Sequence, residues 1–371
     1  MDFDFSDDQQ ALRDAVAKWV EKSYDFERRQ QIVKSGGFDR AVYNELAELG
    51  LTGIYVSEEY GGMGMGPVEA MVVLEELGRG IVTEPLAQAF VTSAVIQAYG
   101  SDGVKQQWLP KIASGEALVV LAQQERKARH QLNVCEAKAA KSGDSYALTA
   151  LKNIVPAGDQ ADAFVVPAML DGKLALFIVE RAAKGVSTRG YLTQAESRAA
   201  DVKLDNAPAQ LITTDGLTAL NFAVDVGIAC VCAEGVGAMD QTLKLTTDYM
   251  NQRKQFGVTI ATFQALRHRV ADMKMQLELA RSMSYYATLK LGAPEAERRQ
   301  ALSRAKVQLG NSMRFVGQQS VQLHGGIGVT DEYAGSHYFK VLTQLEMTYG
   351  DTLHHLGEVS QRMTETAGVF A

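Results

Sequence analysis

Apolar residues recur with a helical period at both ends of this chain and in short, strand-like runs between them. Near the N-terminus one helical stripe carries Leu12, Ala15, Val16, Trp19 and Val20. Ser6, followed three residues later by Gln9, has the pattern of a capping box and predicts the start of that helix. A further helix is predicted around 41–49, ending at Gly50. Long helices are predicted again from 217 to 253, 263 to 291, 296 to 323, and about 338 to the C-terminus.

The middle of the chain has a different pattern. Short apolar runs at 118–122, 163–166 and 174–179 are separated by the turn signals Ser142-Gly-Asp-Ser145 and Asp171-Gly172. These features predict a small antiparallel β domain. The fold class is therefore α+β, with an N-terminal helical domain (1–112), a middle β domain (113–212) and a C-terminal four-helix domain (213–371).

Composition narrows the function classes. The 371 residues contain 37 Lys+Arg and 44 Asp+Glu, a net charge of -7, which argues against nucleic acid as the main partner. The acidic start does not resemble a signal peptide, and we expect neither a membrane span nor a metal site. Three cysteines without framework spacing favour reduced thiols, so the chain is expected to be cytoplasmic.

One motif with candidate chemistry follows the first long C-terminal helix. It reads Tyr249-x-x-x-Arg253-Lys-Gln-Phe-Gly257, and Gln264 follows seven residues later. An arginine where a helix ends projects a planar, permanently charged fork that suits a diphosphate, and Phe256 offers an apolar face to a heteroaromatic ring. The alternative is a helix end whose cations complement the helix dipole.

A glycine-rich motif follows the third long helix and reads Gln322-Leu-His-Gly-Gly-Ile-Gly-Val-Thr-Asp-Glu332. Glycines allow backbone N–H groups to approach a ligand, because no Cβ stands in the way. The alternative is a glycine-capped helix followed by an ordinary loop. A Rossmann dinucleotide site does not fit, because Gly326-Ile-Gly328 lacks the third glycine and no strand precedes it.

These two motifs, with Leu49 to Gly64 and Glu75-Glu-Leu-Gly78 before them, together resemble the acyl-CoA dehydrogenase family. The resemblance implies FAD bound at a subunit interface of a homo- or hetero-oligomer. It also implies an acyl-CoA substrate and an electron-transfer flavoprotein as acceptor. The family positions that contact FAD fall on Arg253, Gln255, Phe256, Gln264, Gln322, Gly325 and Gly326.

The chain departs from the family pattern at the catalytic base, which should be a carboxylate. The two family positions for the glutamate fall on Tyr349, beside Gly350, and on Gly227. Asp351 is the predicted base; its alternative role is that of a solvated acid in a bend. Asp225 and Glu346 are the other carboxylates nearby.

The β domain departs as well, in two stretches that flank the flavin ring in the family, here 124–130 and 153–157. The second lacks the threonine hydroxyl that would bond flavin N5, and Pro156 has no N–H.

Three hypotheses about the function of the chain follow. The chain is a dehydrogenase with a displaced base, a half-site subunit that completes the FAD site of a homologous chain, or a flavin-free scaffold.

Overall fold

The computed structural model describes residues 5–143 and 145–366, and the α+β fold class is confirmed. The helices are α1 Asp7–Ser23, α2 Phe26–Ser35, α3 Arg40–Glu48, α4 Pro67–Arg79, α5 Leu86–Tyr99, α6 Asp102–Ala113, α7 Gly216–Gln252, α8 Gln264–Lys290, α9 Glu295–His324, α10 Ala334–Met347 and α11 Thr352–Thr366. The strands are β1 Val119–Leu121, β2 Lys138–Ser142, β3 Ser145–Pro156, β4 Ala163–Leu170, β5 Lys173–Glu180, β6 Val186–Leu192, β7 Arg198–Thr213, β8 Lys254–Gln255 and β9 Val258–Thr259.

Strands β1 to β7 form one sheet in the order β1-β4-β2-β3-β7-β5, with β6 on β7 and a further pairing of β4 with β5. Most pairs are antiparallel, as predicted. The exceptions are β1–β4 and the single residue pair of β2–β4, which are parallel. The predicted turn Asp171-Gly172 joins β4 to β5, and both residues have positive φ, as a type I′ hairpin requires. The other turn includes Asp144, which lies outside the described residues.

The chain forms two compact units. The helical unit contains the residues up to Arg28, Met71–Val82 and the chain from Ile228 onward. The mixed unit contains Arg29–Ala70 and Thr83–Gly227, and its sheet encloses a core that includes Leu148, Phe164 and Phe177. The division into three domains at 112 and 212 stays a prediction.

Helix α1 begins as its sequence predicts. Ser6 Oγ accepts from the backbone N–H of Gln9 at 3.2 Å, and the Gln9 side chain accepts from the N–H of Ser6 at 3.0 Å. Both members of the capping box are therefore in place. Helix α7 is long and apolar enough to cross a membrane by length and composition alone. However, 78% of its most apolar window is buried in the protein, as expected of a core helix.

One helix prediction was wrong. The segment from about 338 to the C-terminus is two helices, α10 and α11, separated by the bend Thr348–Asp351. Tyr349 and Gly350 have φ values of 58° and 112°, which an α-helix cannot contain. Residues 367–371 of the predicted segment lie outside the described residues.

Candidate functional site

The first part of the site is a short hairpin after α7. The backbone N–H of Arg253 donates to the carbonyl of Tyr249 at 2.8 Å, which extends the last turn of α7. Ile260 N–H donates to the Arg253 carbonyl at 2.9 Å and closes the β8–β9 hairpin. Phe256 and Gly257 form its turn, both with positive φ, and the Phe256 side chain is 91% exposed. A cation and an uncovered aromatic ring therefore project from the end of the helix.

The second part is the glycine-rich turn after α9. Gly325 ends the helix with φ 63°, and a 3-10 turn spans Gly325–Val329. A Cβ added to Gly325 or Gly326 would meet no heavy atom of the described residues within 4 Å. The side chain of Val329 is 68% exposed. This backbone is therefore open to a ligand or to another chain.

The structure brings the seven predicted cofactor residues to one end of the helical unit. The ring centroids of Tyr249 and His324 are 4.6 Å apart, so the C-terminal ends of α7 and α9 are adjacent. Near the start of α8, the Arg269 guanidinium donates to the side-chain oxygen of Gln319 on α9 at 2.6 Å. Gln264, the first residue of α8, and Gln322, in the last turn of α9, are both exposed. The residues at this end are Arg253, Gln255, Phe256, Gln264, Gln322, Gly325 and Gly326.

These residues suit the adenosine diphosphate half of a dinucleotide. Arg253 supplies a permanent charge with a bidentate donor geometry for the phosphates. The open glycine backbone supplies N–H groups that a Cβ would otherwise screen. The exposed Phe256 ring supplies an apolar face for a heteroaromatic ring.

The predicted base lies elsewhere on the helical unit. Asp351 is half-buried, and its Oδ1 accepts from the backbone N–H of His354 at 2.7 Å in the first turn of α11. The bend that carries it contacts α9 at Lys306, whose Nζ donates to the Gly350 carbonyl at 2.9 Å. Lys306 precedes His324 by 18 residues of α9, which corresponds to about 27 Å along a helix. Within one chain, the predicted base therefore lies far from the predicted cofactor residues.

The neighbouring carboxylates have structural partners. Glu346 is buried, pairs with Arg314 at 2.9 Å and accepts from the hydroxyl of Thr352 at 2.6 Å. Asp225 is buried on α7, two residues before the other family position, Gly227.

Two buried basic side chains stabilise the bend between α10 and α11. Lys306 is 0% exposed, and its Nζ also donates to the carbonyls of Leu345 at 3.0 Å and Glu346 at 2.7 Å. Burial lowers the pKa of Lys306 to about 8. His355 donates from Nε2 to the Tyr349 carbonyl at 3.0 Å, and burial lowers its pKa to about 2. These contacts satisfy carbonyl groups at the end of α10 that the helix leaves without partners.

In the mixed unit, polar groups of the second stretch that departs from the family, 153–157, form hydrogen bonds within the chain. The N–H of Ile154 donates to the hydroxyl of Tyr191 at 3.1 Å, and the N–H of Asn153 donates to the Gln124 carbonyl at 2.8 Å. The side-chain amide of Asn153 donates to Asp201 at 3.1 Å. Ile154 has φ 53°, an outlier for a β-branched residue. The N–H groups of Asn153 and Ile154 are therefore already bonded within the chain.

The first stretch contributes a buried ion pair. Lys152 on β3 donates to Glu125 at 2.6 Å and to the Pro167 carbonyl at 2.9 Å. The Lys152 ammonium lowers the pKa of Glu125, against the opposing effect of burial, and two backbone N–H groups donate to the same carboxylate. The pair therefore ties this stretch to the sheet.

Sequence reasoning missed the part of His324 in this site. His324 is 3% exposed, and its ring contacts the rings of both Tyr249 and Tyr333. The available signal was its position: it directly precedes Gly325, at the end of a long helix.

Comparison with known proteins places these features among related chains. Family models described as "Acyl-CoA dehydrogenase, N-terminal domain" and "Acyl-CoA dehydrogenase, C-terminal domain" match residues 6–116 and 214–363. The acyl-CoA dehydrogenase FadE12 of Mycobacterium tuberculosis is 30% identical over 344 residues, which cover 88% of this chain and 88% of that protein.

Solved structures are similar over nearly the whole chain. A chain of the ChsE4-ChsE5 complex from Mycobacterium tuberculosis matches with a TM-score of 0.90 and 25% identity, covering 99% of this chain and 100% of that one. A protein described as an FAD-dependent dehydrogenase matches with a TM-score of 0.87 and 26% identity, covering 98% and 100%. FAD is the cofactor that these relationships imply.

Proposed function

Because this chain belongs to the acyl-CoA dehydrogenase family, we propose that it acts in the FAD-dependent α,β-dehydrogenation of an acyl-CoA thioester. The observation that carries the proposal is a contact at one end of the helical unit: Tyr249, four residues before Arg253, packs on His324, which directly precedes the open glycines 325 and 326. A cation beside uncovered backbone N–H groups suits the diphosphate of a dinucleotide. An electron-transfer flavoprotein is the electron acceptor that the family resemblance favours.

In this reaction FAD, when bound, accepts the β-hydrogen as hydride at N5. The protein must remove the α-proton, and we propose that Asp351 accepts it at a carboxylate oxygen. The Asp351 carboxylate caps a helix and is thereby held in one orientation, which suits a general base. Arg253, Gln255, Phe256 and the glycine-rich turn bind and orient the cofactor.

The replacement Asp351→Asn tests the base directly. Asparagine caps a helix as well as aspartate does, so folding and FAD content should stay at the wild-type level. Without the carboxylate, anaerobic bleaching of the flavin by a panel of CoA thioesters should fall by at least about 100-fold in rate. Bleaching at the wild-type rate would remove Asp351 from the mechanism.

A second function is favoured by specific observations: the chain is a half-site subunit that contributes its Arg253 end to the flavin of a homologous partner. Neither family position for the base is a carboxylate here, and the stretch around Ile154 has its N–H groups bonded within the chain. The similar ChsE4-ChsE5 structure is a complex of two chains. The separation of Asp351 from the predicted cofactor residues also agrees with FAD shared between subunits.

An absorbance scan distinguishes the two functions. A chain that is yellow when purified alone, and is bleached by an acyl-CoA, is a dehydrogenase in its own right. If the chain alone is colourless but binds flavin when co-expressed with the product of the adjacent gene, the half-site function is supported. A chain that stays colourless in both preparations, and with added FAD, contradicts both functions and leaves the flavin-free scaffold.

A further inference from the structure

An aromatic cluster around the buried His324 joins the two parts of the predicted cofactor site. We define this cluster as Tyr249 at the end of α7, His324 at the end of α9, and Tyr333 just before α10. The His324 ring centroid lies 4.6 Å from that of Tyr249 and 4.9 Å from that of Tyr333. Three separate segments of the helical unit therefore meet at one histidine ring.

Hydrogen bonds fix the orientation of that ring. His324 Nδ1 lies 2.8 Å from the carbonyl oxygen of Ser320, and His324 Nε2 lies 2.8 Å from the hydroxyl of Tyr333. A carbonyl can only accept, so Nδ1 donates; the Tyr333 hydroxyl then donates to Nε2. Burial lowers the pKa of His324, so the ring is neutral at pH 7 and both nitrogens are satisfied.

Glycines provide the space that the cluster needs. A Cβ on Gly335 would lie 2.9 Å from the Tyr333 ring, and a Cβ on Gly328 would lie 2.9 Å from His324 Cβ. Both contacts are too close for a real side chain. The packing of the cluster therefore requires glycine at both positions, one in the segment that connects α9 to α10 and the other in the first turn of α10.

The cluster lies directly behind the residues predicted to bind the cofactor. Tyr249 precedes Arg253 by four residues, and the hydrogen bond between their backbones continues the helical turn. His324 is covalently bonded to Gly325. A shift of either ring therefore moves Arg253 or the start of the glycine-rich turn, and Arg253, Gly325 and Gly326 are themselves exposed.

We propose that the cluster Tyr249–His324–Tyr333 positions the Gly325–Gly326 backbone beside Arg253, so that both hold the same adenosine diphosphate half of FAD. This inference rests on the proposed function. His324, Tyr249 and Tyr333 are positioning residues: they act through Arg253 and the glycine-rich turn and do not themselves contact the cofactor.

A pair of matched substitutions separates positioning from simple stabilisation. Tyr333→Phe removes only the hydroxyl that donates to His324. Tyr338→Phe removes a hydroxyl that donates to the Arg79 carbonyl, in the same unit but outside the cluster. Each variant loses one buried hydrogen bond, so their unfolding midpoints should fall by similar amounts.

Two measurements on the full chain, stripped of flavin, test the proposal: hydrogen exchange of the amides from 325 to 329, and the Kd for FAD from quenching of its fluorescence. With Tyr333→Phe, we expect faster exchange in this turn and a Kd raised by about tenfold. Tyr338→Phe should leave both at the wild-type value.

The outcomes distinguish this proposal from the proposed function. If the wild type binds FAD and Tyr333→Phe leaves exchange and Kd unchanged, the cluster has no positioning role and the function stands. If exchange rises in Tyr333→Phe but the wild type binds no FAD, even with the co-expressed partner, the cluster positions the turn and the proposed function is wrong. Equal changes of exchange and Kd in both tyrosine variants would overturn the positioning role.

Discussion

His355 illustrates how a single buried residue links the fold to pH. It lies behind the bend that carries Asp351, donates to the Tyr349 carbonyl and lies close to the Lys306 ammonium. Burial is the main cause of its low pKa, and the positive charge of Lys306 adds to it. The ring is therefore neutral in the folded protein over the whole range in which a free histidine titrates.

This shift predicts acid destabilisation. The folded pKa of His355 is about 2 and its ordinary value is 6.5. Below pH 6.5 the unfolded chain takes up a proton that the folded chain does not, so the free energy of unfolding falls as pH drops. The loss from this residue is at most about 1.4 kcal/mol per pH unit. Above pH 6.5 both states are neutral and the residue adds no pH dependence.

The substitution His355→Gln removes this titration. We expect the free energy of unfolding, measured by urea at pH values from neutral to about 5, to depend less steeply on pH than in the wild type. An unchanged slope in His355→Gln would contradict the buried, neutral state of the ring.

At the scale of elements, the crossing of α4 and α7 depends on two glycines. A Cβ on Gly78 would lie 2.2 Å from the Glu234 carbonyl oxygen, and a Cβ on Gly237 would lie 1.8 Å from that of Glu75. The two helices therefore approach backbone to backbone within the helical unit. Charged side chains surround the crossing, where Glu76 contacts Arg79 and Arg13.

This close approach predicts that a glycine-to-alanine substitution changes the free energy of unfolding in opposite directions at the crossing and at an open position. Gly78→Ala should lower the free energy of unfolding by about 1–3 kcal/mol, because the helices must separate. Gly357→Ala, in the exposed interior of α11 with no described heavy atom within 4 Å of the new Cβ, should raise it by about 0.5–1 kcal/mol. Thermal unfolding of both variants measures the contrast; a Gly78→Ala midpoint at or above the wild type would contradict it.

Elements with a strong local signal could be predicted from the sequence. The predicted helices 217–253, 263–291 and 296–323 correspond to α7, α8 and α9, because helical periodicity extends through each. The break between α10 and α11 was missed. It depends on Tyr349 in a left-handed conformation and on distant groups, Lys306 and His355, that bind the bend's carbonyls. Such long-range contacts leave no periodic pattern in the sequence.

The candidate site could likewise be predicted only where its residues have a local sequence signal. Arg253 and Gly325 could be identified because each follows a helix with a recognisable end. Their proximity could not be predicted, because it results from the contact of Tyr249 with His324, two residues 75 positions apart. Parallel pairing of β1 with β4 is likewise a long-range feature that the hairpin signals do not contain.

At the scale of the whole molecule, the predicted site is divided. The cofactor residues lie at the α7 and α9 ends, and the predicted base lies about 27 Å away along α9. The mixed unit contains the stretch around Ile154, whose N–H groups are already bonded. This separation agrees with the proposal that FAD is shared between chains, so that residues of more than one chain complete the site.

The measurement that tests this account most directly is an FAD titration of Gly326→Val, using the flavin-free protein alone and together with its co-expressed partner. A Cβ at position 326 would meet no heavy atom of the described residues within 4 Å, so we expect folding to be unaffected. The valine would occupy the surface on which the dinucleotide is expected to lie. Gly292→Val, at another open glycine, is the matched control. We predict that Gly326→Val raises the Kd for FAD by at least about tenfold, whereas Gly292→Val leaves it unchanged. The unfolding midpoint should stay at the wild-type value in both variants. Wild-type affinity in Gly326→Val would contradict the assignment of this end of the helical unit to FAD.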